Sequence, residues 1–125
     1  MTQFTVVKFE CRDRLGFLSS QQKAKLNRKF RSPNKKVMPH ELAVSLGIEL
    51  SQAYAIIIAL GSAGLSENRL LIYHTCTDVE VGSIPFGIGF PPLPWNCPEC
   101  GKVIEDRDEM SFDLMAIVSK PIEFI

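Results

Sequence analysis

The sequence predicts an α+β fold, with helices gathered between residues 19 and 64 and short strands after them. Three observations carry this. Apolar residues recur at helical spacing between Ser19 and Gly64, punctuated by Ser, Pro and Gly. β-Branched, alternating stretches follow at Leu70–Cys76, Val79–Ile84 and Ser111–Val118. A Pro- and Gly-rich segment, 85–96, then leads into Cys97-Pro98-Glu99-Cys100-Gly101. At 125 residues, with 46% hydrophobic and 22% charged, the chain has room for one domain with a small satellite. The expected division is 1–84, a helical domain with an N-terminal strand, and 85–125, a β extension.

The elements are justified in order. Phe4-Thr5-Val6-Val7-Lys8-Phe9 is β-branched and aromatic and reads as a strand. Ser19 or Ser20 caps a helix in which Leu26 and Phe30 lie one turn apart on an inward face, and Ser32-Pro33-Asn34 ends it. Pro39 opens a second, short helix through Leu46, and Gly47 stops it. Ser51 is the expected cap of a third helix, Gln52 to about Ala63, closed by Gly64. The run Ile56-Ile57-Ile58 cannot share one helical face, because successive residues are about 100° apart, so this helix is expected to be covered on more than one side. Lys102-Val103-Ile104 reads as a strand, and Pro121 precedes the apolar tail Ile122-Glu123-Phe124-Ile125.

The formal net charge of zero hides an asymmetry. Residues 1–36 hold ten Lys/Arg against two acids, and residues 37–125 hold four Lys/Arg against twelve acids. Lys23, Lys25, Arg28, Lys29, Arg31, Lys35 and Lys36 thus form a candidate surface for nucleic acid or an acidic partner. The longest apolar run, Ala53–Leu60, is far too short to span a bilayer, so no membrane partner is expected. The start of the chain lacks the basic and apolar regions of a secretory signal, so a cytoplasmic location and reduced thiols are expected.

Between Pro39 and Ile58, Ala43 is a small residue inside a helix, Gly47 opens a turn, and Leu42, Leu46, Ile48, Ala53 and Ile56 stand where two helices would lock together. This stretch resembles a helix-turn-helix. With a basic helix ahead and a strand pair behind, residues 19–84 resemble a winged-helix domain. The resemblance implies DNA binding by the third helix. That helix departs from the pattern: it has no Lys, Arg or Asn, and only Gln52 could read a base edge. Its outward residues suit a protein partner better, and Tyr54, Ile57 and Ile58 are the candidate face.

Cys97-Pro98-Glu99-Cys100-Gly101 is similar to a knuckle of the zinc-ribbon kind. Two thiolates separated by two residues can chelate one ion, and a structural Zn2+ takes four ligands. His74 and Cys76 stand at i and i+2 of an expected strand, on one face, and complete the set His74, Cys76, Cys97 and Cys100. Cys11 is the rival for fourth place, giving an all-thiolate site. Trp95-Asn96-Cys97-Pro98-Glu99-Cys100 also resembles thiol–disulfide oxidoreductase motifs, but no helical pattern follows Cys100. The expected role of the ion is a staple that ties the loop and last strands to the wing, with Phe90 and Trp95 packed over the knuckle. No catalytic constellation stands out, and catalytic residues are not expected.

The resulting expectation is a non-enzymatic, zinc-binding winged-helix adaptor or accessory protein with a protein partner, some nucleic-acid contact through its basic helix, and scope for self-association. The alternative is a dimeric DNA-binding transcriptional regulator.

Overall fold

The computed structural model describes residues 6–125. The start of the expected first strand, Phe4 and Thr5, lies outside the described residues; the strand itself is Val7–Phe9 (β1). A mixed α+β architecture results, with α1 Ser20–Lys29, β2 Lys35–Val37, α2 Pro39–Leu46, α3 Leu50–Ser62, β3 Glu67–His74, β4 Gly82–Pro85, β5 Trp95–Asn96, β6 Val103–Ile104, β7 Met110–Val118 and β8 Ile122–Phe124. β2, β5 and β8 are strands that the sequence alone does not predict; the apolar tail is β8. The chain forms two compact units, one running up to Glu67 and resumed by Ala116–Ile125, the other Asn68–Met115. The sequence reading placed its division near residue 84 instead.

The first unit is built on three helices. Ser19 caps α1: its Oγ accepts from the Gln22 N–H at 3.1 Å, and its own N–H donates to Gln22 Oε1 at 2.8 Å. Leu26 and Phe30 point inward and are fully buried. Pro39 begins α2, where its missing N–H leaves no helical bond unmade. Gly47 takes φ 65° and lets the Ile48 N–H return to the Ala43 carbonyl at 3.1 Å. The cap of α3 is Glu49 rather than Ser51, because Gln52 Oε1 reaches back to the Glu49 N–H at 3.0 Å. α2 and α3 turn through 116° at this break. As the isoleucine run requires, Ile56 and Ile57 are buried while Ile58 is 44% exposed.

The last strand closes this unit. β8 pairs in parallel with β1, Val7 opposite Ile122 and Phe9 opposite Phe124. The Phe124 ring lies between Phe9 and Phe30, with centroids 5.8 Å and 5.3 Å away. Asn27 on α1 acts as a side-chain substitute for a neighbouring strand: its Oδ1 accepts from the Phe124 N–H at 2.5 Å and its Nδ2 donates to the Phe124 carbonyl at 3.3 Å. The end of β7 pairs with β2, Ala116 opposite Val37. Ring packing and the Asn27 hydrogen bonds thus both hold β8 in this unit.

In the second unit β3 lies between β7 and β4. The β3–β4 pair is antiparallel, with Leu70 opposite Ile84 and Ile72 opposite Gly82. Its small core is Ile72, Val81, Cys97, Ile104 and Met110, with Ile84, Leu93, Trp95 and Phe112 packed against it. No single helix among the described residues is long and apolar enough to cross a membrane.

Phe30→Ala removes the ring that supports Phe124, and it is expected to lower unfolding stability by about 3–5 kcal/mol in urea titrations. Val44→Ala, at a side chain 84% exposed, serves as the control and is expected to shift stability by less than about 0.5 kcal/mol. Equal effects from the two would refute this packing scheme.

Candidate metal centre

Two short segments of the second unit bring four donors together. His74 ends β3 and is buried. Cys76 is not on the strand, as the i, i+2 argument assumed. The chain turns after His74, the Thr77 N–H donating to the His74 carbonyl at 3.3 Å, and the Cys76 thiol sits in this exposed turn. The i, i+2 logic found both residues but for the wrong local reason: curling of the chain, not the pleat, brings the sulfur beside the ring.

The second segment is the knuckle between β5 and β6, paired through Trp95 with Ile104 and Asn96 with Val103. The Cys97 N–H donates to the Lys102 carbonyl and the Gly101 N–H to the Cys97 carbonyl, both at 2.9 Å. Gly101 adopts φ 77°, which closes the turn and which other residues enter only with strain. Cys97 is buried in the small core, and Trp95 is half-buried against the same cluster. Cys100 is exposed.

The ligating atoms of His74, Cys76, Cys97 and Cys100 all lie within 4.8 Å of one another, so the group could hold a metal ion. The Sγ atoms of Cys76 and Cys97 are 3.7 Å apart, and Cys100 Sγ is 3.5 Å from His74 Nδ1. Tetrahedral coordination with metal–sulfur bonds of about 2.3 Å and metal–nitrogen bonds of about 2.05 Å places sulfurs about 3.8 Å apart, and sulfur and nitrogen about 3.6 Å apart. The two closest contacts match those edges. Three soft thiols with one imidazole suit a zinc-like ion and not calcium or magnesium, which take oxygen ligands.

The free thiols are far from equivalent. Desolvation works to raise the Cys97 thiol, yet backbone N–H groups of Cys100 and Glu99 and the neighbouring thiols of Cys100 and Cys76 stabilise its thiolate and bring it down to about 7. Cys76 is pushed up to about 12, first by desolvation, then by hydrogen bonding to Cys97 and Cys100 and by their charge. One sulfur is thus prepared as a thiolate, while a cation must displace the proton of another. Lys102, which sequence reading passed over, is drawn above its usual value by its hydrogen bond to Glu109 and by that carboxylate's charge, with a smaller contribution from Cys100. Its position directly after Gly101 was the available signal.

The other sequence candidates fall as follows. Cys11 is not among the four donors; it is buried in the first unit, its Sγ 4.0 Å from the Phe9 carbonyl, and burial raises its thiol. Lys25, Arg28, Arg31 and Lys36 are exposed, and Lys23, Lys29 and Lys35 half-buried. Of the face assigned to a partner, Ile58 is exposed and Tyr54 half-buried, but Ile57 is fully buried and unavailable, since the helix turns it inward. The contacts of Phe90 are instead with Phe112, whose ring is tilted against it at 4.9 Å, and with the Arg107 guanidinium at 5.4 Å. Arg107 Nη1 also donates to the Pro91 carbonyl at 3.0 Å, so part of the acidic loop 105–109 pins the Pro-rich segment. No protein-family model matches the chain, and neither does a curated protein or a solved structure.

Gly101→Ala isolates the backbone requirement, because an added Cβ would meet nothing within 4 Å. The variant is expected to lose at least about 1 kcal/mol in urea unfolding followed by Trp95 fluorescence. An unchanged midpoint would show that the knuckle does not need the left-handed turn.

Proposed function

We propose that the chain is a non-enzymatic, zinc-binding module of the winged-helix class, working in the cytoplasm as an adaptor or accessory subunit for a protein partner. The completeness of the donor set carries the zinc part of this reading. His74, Cys76, Cys97 and Cys100 supply four protein donors within 4.8 Å of one another, two of their contacts at tetrahedral edge lengths, whereas a catalytic zinc keeps a position open for water or substrate. When bound, the ion supplies cross-linking between the turn after β3 and the β5–β6 knuckle.

The order of elements supports the winged-helix part. Three helices precede an antiparallel strand pair, and Gly47 opens the turn between α2 and α3. The outward side of α3 offers Glu49, Ser51, Tyr54, Ala55 and Ile58, none of them cationic, which favours a protein surface over a groove of bases.

A second reading, contact with nucleic acid, rests on a separate observation. Lys25, Arg28 and Arg31 recur every three residues on α1 and just beyond it, are exposed, and form no ion pair with another described residue. Such a row can contact phosphates without reading sequence. The dimeric DNA-binding regulator would use it beside α3.

Elemental analysis of the purified protein is expected to find one zinc per chain, and Cys97→Ser and Cys100→Ser are expected to lose it. A metal-free protein that melts cooperatively and ignores EDTA would overturn the zinc reading. For nucleic acid, gel shifts with random duplex are expected to show binding whose log–log salt slope is about −3, for three phosphate contacts. The triple change Lys25→Ala, Arg28→Ala and Arg31→Ala is expected to abolish the shift. No shift by the unaltered protein at low salt would remove this second reading.

A further inference from the structure

We propose that Cys76 and Cys97 form an oxidation site at which peroxide converts two metal ligands into a disulfide and expels the ion. This rests on the zinc reading above. The three sulfurs of the centre differ in access and in nearest neighbour. Cys76 is exposed in the turn after β3, while Cys97 is buried in the small core. Their Sγ atoms are 3.7 Å apart, whereas Cys100 Sγ faces His74 Nδ1. Cys97 is fixed by its N–H bond to Lys102 and by the Gly101 N–H that its carbonyl accepts. The segment carrying Cys76, residues 75–80, is a turn outside the strands, closed by the Thr77 N–H bond to the His74 carbonyl at 3.3 Å.

The chemistry follows from this asymmetry. With the ion bound, both sulfurs are thiolates, and the exposed one, Cys76, attacks hydrogen peroxide; a sulfur–oxygen bond forms, the oxygen–oxygen bond breaks, and hydroxide leaves and takes a proton to become water. The Cys97 thiolate then attacks the Cys76 sulfur. The disulfide forms, the sulfur–oxygen bond breaks, and a second hydroxide leaves as water. Two electrons pass from two thiolates to one peroxide, which is reduced to two waters with two protons from solvent.

Metal loss is geometric. A disulfide brings its sulfurs to about 2.05 Å, far inside the tetrahedral edge of about 3.8 Å, and disulfide sulfur is a poor ligand. His74 and Cys100 alone leave a four-coordinate ion half-ligated. Trp95, which packs on the cluster that contains Cys97, is a built-in reporter of the change. Cys11 lies buried in the other unit and plays no part.

The test uses full-length Cys11→Ser protein whose zinc content has first been measured. It is treated with hydrogen peroxide beside a chromogenic zinc chelator, then digested and mapped by mass spectrometry. The expected result is one Cys76–Cys97 disulfide per zinc released, with a shift in Trp95 emission, both reversed by dithiothreitol and added zinc. Cys76→Ser is expected to yield no disulfide with Cys97. Zinc retained through the treatment, a Cys97–Cys100 disulfide, or sulfinic acid without any disulfide would each overturn the proposal. Protein found without zinc before any oxidant fails at the earlier step and overturns the zinc reading as well, so the two failures are distinguishable.

Discussion

The convergence of two short segments, the turn at 74–76 and the knuckle at 97–100, is the constraint on which the second unit depends. That unit has a core of five buried side chains, one of them the ligand Cys97, with four more packed against it. A core this small offsets little conformational entropy. Between the two segments runs a stretch that contains only the four-residue β4 and the two-residue β5, and much of it is Pro and Gly. A cation held at both ends would close that loop and fix the β5–β6 knuckle against the strand that leads into it. The buried sulfur of Cys97 would make the metal continuous with the apolar cluster rather than an ornament on the surface.

Much of the first unit was legible because its signals are local. Ser19 at a helix cap, Pro39 at a helix start and Gly47 at a helix end each act within one turn of chain. The knuckle was legible for the same reason, since Cys97, Cys100 and Gly101 lie within five residues. Long-range pairings were not legible. Nothing near Ile122 announces that it will pair with Val7, and nothing near Lys35 announces Val118. The first of these pairings accompanies the packing of Phe124 against Phe9 and Phe30, which is a property of three distant rings. Cys76 shows a subtler gap: the residue was identified, but the turn that presents it is set by backbone bonding around Thr77 and not by strand periodicity.

The charge asymmetry of the chain is carried into its two units. Asn68–Met115 contains three Lys/Arg against eight Asp/Glu, so the unit with the candidate metal centre is acidic while the excess of positive charge stays with the helices. Within the acidic unit some of that charge is used structurally. Glu109 pairs with Lys102 beside the knuckle, and Arg107 bridges the Pro91 carbonyl and the Phe90 ring. The helical unit has no comparable neutralisation along the outward row of α1. The two units therefore present different chemistry to solvent, one offering cations and an α3 face without cations, the other soft sulfur and carboxylates.

The parallel pairing of β1 with β8 has a consequence for biosynthesis. Phe9 and Phe30 emerge early from the ribosome, but the ring that fills the space between them is Phe124. Until that residue is translated, the helices carry an open apolar seam, and Asn27 lacks the backbone it binds. The four donors and the core residues of segment 68–115 are all translated before then. Vectorial synthesis thus orders assembly against the direction of the chain, with the middle of the polypeptide able to mature first and the amino-terminal helices sealed last.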